Sequence, residues 1–223
     1  MNRFVSFSQS RPAARKQLDP AYFIITTEGI DEIAYFYAIE KIIPKRFNAY
    51  YKIHIIEREN EHDSALIHVY NSLNDYLKYD KKKFRDKHGK AYIVFDHDNN
   101  FSRNNITNTL MYIRESRQKG YVTIYSNPCF DLWLLLHYID VTERADINAL
   151  LENKNNYVKR QLHMVRNGED MQLMAHRYRT AVENASKLFA GIPNQGQDYP
   201  STALLTEVYI LINDIIDSGL LER

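Results

Sequence analysis

The residues in this sequence whose types and spacing suit chemistry are three acids, Glu28, Asp96 and Asp98. Glu28-Gly29 closes one apolar run, YFIITT, and Asp96-His97-Asp98 closes another, AYIVF. Like charges gathered in one cleft raise one another's pKa. A divalent cation removes that conflict, and hard oxygen donors suit Mg2+ or Mn2+ rather than zinc. In Asp-x-Asp at the end of a strand, alternation puts both carboxylates on one side and turns His97 away. Such a cluster orients water and neutralises charge on a phosphodiester. Glu28, as a further ligand or beside the ligands, is the natural general base or acid. The plainer alternative is that Asp-x-Asp after a strand only forms a turn.

The elements that must position these residues are read from periodicity. Residues 22–27, 51–56, 91–95 and 121–125 are short β-branched and aromatic runs that suit buried strands. Between them lie helical patterns. One begins near Asp31 and runs to about Phe47. A second is capped by Asp63 and carries Leu66, Val69, Tyr70, Leu73 and Leu77. A third begins at Asn104 or Asn105 and stops at Gly120. Strands alternating with helices predict an α/β fold with a parallel sheet covered on both faces. Open parallel sheets place functional groups at the carboxyl ends of their strands. Glu28, the Asp96–Asp98 pair, Asn127 and Asp131 all fall there.

After about Ile139 the strand signal vanishes. Helices are predicted over residues 147–153, 156–164, 171–189 and 201–216, the last two separated by a Gly/Pro/Gln loop. The expected organisation is a flexible, net basic leader over residues 1–20, an α/β core over 21–140, and a helical C-terminal region over 141–223 packed on it. No internal repeat is visible. Lys+Arg 29 against Asp+Glu 28 gives a formal net charge of +1, so any basic binding face must be local. The single cysteine, Cys129, excludes an intramolecular disulfide and fits a reducing, cytoplasmic setting. No secretory signal and no membrane-length apolar stretch are visible.

Other residues carry two readings each. Asp131 opens the apolar LWLLLH run, as a helix N-terminal charge or as part of the site. Asn127, held extended before Pro128, orients water or phosphate, or makes the turn. Cys129 reads as a small buried residue. Trp133 reads as core, with His137 one turn on, as a core residue or a hydrogen-bond partner of a site carboxylate. His62 and His97 lack zinc-ligand spacing. The basic run from Lys78 to Lys90 leads into the wrong end of the Asp96 strand to cradle a substrate. In the tail, Arg160, Arg166, His176, Arg177 and Arg179 are candidate phosphate binders. The 17 tyrosines are mostly packing residues.

Three strings together carry a resemblance. They are Thr27-Glu28-Gly29-Ile30-Asp31-Glu32-Ile33-Ala34-Tyr35-Phe36, Val94-Phe95-Asp96-His97-Asp98, and residues 126–137, SNPCFDLWLLLH. In that order they resemble the RloB family, known also as the second component of the AbiL abortive-infection system. Tyr199-Pro200-Ser201-Thr202 before a helix resembles its usual ending. The resemblance implies a Toprim-like core, the fold of bacterial primases, topoisomerases and OLD-type nucleases. It implies Glu28 as acid/base and Asp96 and Asp98 as Mg2+ ligands, with Glu32, Asn127, Asp131 and His137 as candidate supporting residues beside them. It further implies a nucleic acid substrate (RNA, tRNA among it, or DNA), a partner ATPase and a part in anti-phage defence; a homo-oligomer stays open. Two departures touch supporting residues. Asp31 stands where the family has Thr, and Asp131 where it has Glu.

The expectation is thus a Mg2+- or Mn2+-dependent nuclease. The rival is a non-catalytic partner or sensor module of an ATPase. A receiver-like phosphoacceptor fits less well, because the first strand ends on one Glu rather than an acidic pair.

Overall fold

In the computed structural model the described residues are 21–57, 65–86, 89–98, 100–190 and 199–222. The leader over 1–20, Asp63, His62 and most of the loop before Tyr199 lie outside them, as do the side chains of 80–88.

The first half alternates strand and helix as expected: β1 (Ala21–Thr27), α1 (Ile30–Ile42), β2 (Tyr51–Ile56), α2 (Leu66–Asp86), β3 (Lys90–Asp96), α3 (Ile106–Gln118) and β4 (Val122–Asn127). Gly120, at φ 79, ends the α3 turn in a conformation that costs glycine little. The second half is α4 (Asp131–Leu135), α5 (Val141–Arg144), α6 (Ile147–Glu152), α7 (Tyr157–Arg166), α8 (Met171–Ala175), α9 (Tyr178–Ala190), β5 (Leu205–Thr206) and α10 (Val208–Asp217).

The sheet order is β2-β1-β3-β4-β5. The first three pairings are parallel and β5 is antiparallel to β4. The fold is α/β, as the periodicity requires. Strand alternation divides the core into two faces. Phe23, Ile25, Tyr92, Val94 and Ile124 face α1 and the helices of the second half. Tyr22, Ile24, Ile93, Phe95 and Tyr125 face α2 and α3. The LWLLL run is buried all round at 1 % exposure or less, which its unbroken apolarity demands. Asn184 on α9 donates to Leu136 O (2.9 Å) and Ile139 O (3.1 Å), supplying partners for carbonyls at the end of that turn.

Two readings of the C-terminal half are corrected. The helix expected over 201–216 is the strand β5 followed by α10, because Leu205 and Asn127 pair across the sheet edge. A two-residue strand has too little pattern to show in sequence. The helix expected over 171–189 breaks into α8 and α9 at His176-Arg177. The region after 140 is otherwise helical, as expected, with β5 extending the sheet of the first half. Among the described residues no helix is long and apolar enough to cross a membrane.

Candidate acidic site at the ends of β1 and β3

β1 and β3 are neighbours, paired from Phe23 with Lys90 to Thr27 with Val94, so Glu28 and Asp96 emerge at one edge. The chain leaves β1 through α1 on one face and leaves β3 through α3 on the other. That divergence opens a crevice at the carboxyl ends, where a parallel sheet offers room for a ligand.

Glu28 is buried, and its carboxylate is held. Asn100 Nδ2 donates to both oxygens (2.7 and 2.9 Å), and the Asp96 backbone N–H donates to Oε2 (3.3 Å). Asn100 is itself fixed: its Nδ2 also donates to Asp96 O (2.9 Å), its Oδ1 accepts from Leu66 N (3.1 Å), and its carbonyl accepts from Thr109 Oγ1 (2.7 Å). Sequence reasoning missed Asn100. The signal was an asparagine four residues beyond Asp96, where the turn carries the chain back over Glu28.

Asp96 lies among like charges. Burial raises its pKa well above the usual carboxylate range, and Glu32, Glu28 and Asp98 raise it further, while the Phe130 backbone N–H opposes them. Its Oδ1 is shielded from solvent and has no hydrogen-bond partner among the described residues. Asp98 is exposed; partial burial and then Asp131 push its carboxyl up. Asp131, half-buried at the start of α4, is raised by burial and then by Asp31, against Lys159 and His163. The five carboxylates therefore run from buried Glu28 and Glu32, through half-buried Asp96 and Asp131, to Asp98 at the mouth.

The supporting residues divide. The Glu32 carboxylate folds back so tightly over Gly29 that a β-carbon there would stand 1.9 Å from Oε2. This explains the Glu-Gly pair, and Glu32 stands three residues past Gly29, the N-cap of α1, with its charge near the positive end of the helix. Asn127 spends its amide on the chain, donating to Ser201 O (2.8 Å) and Ala203 O (2.9 Å), which ties β4 to the approach of β5. His137 is buried in the core, and among the described residues none of its hydrogen bonds goes to a carboxylate. Its Nδ1 donates to Trp133 O (3.0 Å), which leaves Nε2 to accept from Tyr35 Oη (3.1 Å). Burial holds its pKa down at about 4, so the ring is neutral. Cys129 is buried and its thiol is pushed far up by burial and by Asp96, Asp131 and Asp98. It is no nucleophile.

His97 turns to the other face. Its Nδ1 bonds the Tyr125 hydroxyl, its backbone N–H donates to Ser126 O (2.8 Å), and its ring packs on Phe101. The tail arginines are engaged elsewhere: Arg177 with Glu169 (2.7 Å), Arg179 with Glu222 (3.0 Å), Arg166 with Glu169 O and Arg160 with Asn155 O. Lys90, at the start of β3, pairs with Asp214 (2.6 Å), at the opposite end of the strand from the carboxylates.

Among the described residues no three His, Cys, Asp or Glu side chains close on a common point as a ready metal cage. The donor set nevertheless suits a hard cation. Mg2+ keeps several waters and binds through one or two carboxylates with substrate oxygens, so it needs no protein cage. The partnerless Asp96 Oδ1 and the adjacent Asp98 meet that requirement.

Neither curated proteins nor solved structures give a match to the chain. A family model described as RloB-like protein matches residues 23–215, from β1 into α10 and across every residue of the acidic crevice. On that match the chain belongs to the RloB-like family.

Proposed function

We propose that the protein is a divalent-metal-dependent phosphodiesterase on a Toprim-like core, with a nucleic acid as substrate and a place as effector in anti-phage defence beside an ATPase. The observation that carries the chemistry is the shielded, partnerless Asp96 Oδ1 among Glu28, Glu32 and Asp98. A carboxylate oxygen shielded from water without a donor, beside like charges, costs free energy in the ionised form. A bound cation at Asp96 and Asp98 offsets that cost.

Asp96 and Asp98 would hold Mg2+ or Mn2+, which supplies charge neutralisation on the phosphoryl oxygens and a lowered pKa for bound water. Glu28 adjoins the ligands, its Oε2 accepting from the backbone N–H of Asp96. Asn100 and the Asp96 N–H aim its carboxylate, and from there it takes a proton from the attacking water or returns one to the leaving oxygen. Glu32 adds negative charge on the inner side and keeps Asp96 in need of the cation.

The test is incubation of the purified chain with labelled RNA and DNA, with and without Mg2+ or Mn2+, beside Glu28→Ala and Asp96→Asn. Metal-dependent cleavage by the wild type alone is the expected result. A folded wild type that binds neither metal nor nucleic acid would leave the non-catalytic partner reading in its place.

A further inference from the structure

An acidic crevice repels the substrate just proposed for it, so the basic side chains at its rim become informative. Arg166, Arg177 and Arg179 of the tail are held by Glu169 and Glu222, and Arg160 by the carbonyl of Asn155 just before its own helix. Lys159 and His163 of α7 are different. They lie four residues apart and so share one side of the helix, while Val158 and Leu162 are buried. With the core side set by those two, Lys159 and His163 are exposed and bear on Asp131, the first residue of α4. Lys159 Nζ stands 3.7 Å from Asp31 Oδ2, a long pair between groups 49 % and 56 % exposed. Exposed pairs of this kind are weak, so an incoming phosphate displaces Asp31 at little cost.

We propose that Lys159 and His163 grip the backbone phosphate next to the scissile one, so that α7 forms the docking wall of the crevice. The inference rests on the phosphodiesterase reading and adds the side from which the strand is held. It follows from charge complementarity. Asp98 at the mouth and Asp131 behind it push a polyanion away, and among the described residues these two side chains are the basic groups bearing on Asp131. Neither contributes to the core, so replacing them leaves the fold intact.

The experiment measures fluorescence anisotropy of single-stranded RNA and DNA probes of one sequence, titrated with the full chain carrying Glu28→Gln, across a salt series. Adding Lys159→Glu with His163→Gln is expected to weaken binding about tenfold or more and to lower the salt slope by about one. Loss on both probes means that phosphate is what the wall reads. Loss on RNA alone assigns the strand as RNA and still supports the wall. Adding Arg177→Gln instead, which breaks a pair outside the crevice, leaves affinity unchanged. Unchanged affinity and salt slope in the Lys159/His163 variant overturn the inference. If the wild type still cleaves with metal, the phosphodiesterase reading survives that result. Binding that depends on α7 without any cleavage keeps the wall and removes the catalytic reading. A wild type that binds neither probe removes both.

Discussion

Two carboxylates of one sheet, Glu207 at its β5 edge and Asp96 at its centre, face opposite circumstances. Glu207 is buried, but it is served by donors: Oε2 accepts from the Tyr199 hydroxyl (2.9 Å) and from Tyr125 N (3.0 Å), and Glu207 N–H donates back to Tyr125 O (2.8 Å). Tyr199 is in turn covered by the Arg117 guanidinium, 4.9 Å above its ring, and stacked parallel to Phe101. Burial lifts the Glu207 pKa to about 7. Asp96 has Glu28, Glu32 and Asp98 for neighbours and one oxygen with nothing to bond. A carboxylate met by donors closes a fold. One met by other carboxylates is left with unmet charge.

The largest expected effect breaks that contrast at its functional end. Glu28→Gln keeps the shape of the side chain and removes the proposed base, so on the phosphodiesterase reading cleavage should fall by about 10²–10⁴-fold. The far-ultraviolet spectrum should remain that of the wild type, with a lower melting point because one of the two oxygens that accept from Asn100 becomes a donor. Activity within a few fold of wild type would take Glu28 out of the chemistry.

Next is the pH dependence of stability at Glu207. Its folded pKa, about 7, lies above the ordinary 4.5, so the folded state holds the proton more tightly. The stabilisation is full below about pH 4.5 and is lost as pH rises through about 7. By linkage it amounts to about 3 kcal/mol. Glu207→Gln is uncharged throughout, so urea unfolding at pH 5 and pH 8 should show a smaller difference than in the wild type. Equal differences would contradict the assignment. His137 runs the other way. Its folded pKa, about 4, lies below the ordinary 6.5, so its contribution is present above about 6.5 and lost as pH falls toward 4.

A smaller effect separates the sites by ligand. Mg2+ or Mn2+ at about a hundred times its dissociation constant should stabilise the wild type by about 2.7 kcal/mol. The shift should vanish in Asp96→Asn and persist in Glu207→Gln. Loss of the shift in both variants, or in neither, would erase the distinction between the two regions.

The smallest effect has the least intuitive sign. Without divalent metal, Asp96→Asn should melt higher than the wild type, by about 1 kcal/mol, because it removes a charge from among repelling neighbours. A lower melting point would mean that the Asp96 carboxylate is satisfied in the folded chain.

How far the site could be read in advance follows from the range of each interaction. Glu28, Asp96 and Asp98 were legible because each closes an apolar run, and the parallel order of those runs sends their ends to one edge. The α/β class followed from the same alternation. Asn127 and His137 were legible as unusual residues in a distinctive string, yet not in their duties. One binds the carbonyls of Ser201 and Ala203, and the other links Tyr35 to Trp133 within the core. Those partners lie up to 102 residues away, a separation across which local pattern carries no information.

By itself, then, the sequence determined the four parallel strands, the helices between them, and the acids at the strand ends, since periodicity and strand-end position are properties of contiguous residues. Tertiary structure alone decided that Asn100 would clamp Glu28 from 72 positions away, that Leu205 and Thr206 would become an edge strand, and that Lys159 would stand beside Asp31. Each depends on distant segments meeting in space, and such meetings are settled by packing the two faces of the sheet rather than by the residues on either side in the chain.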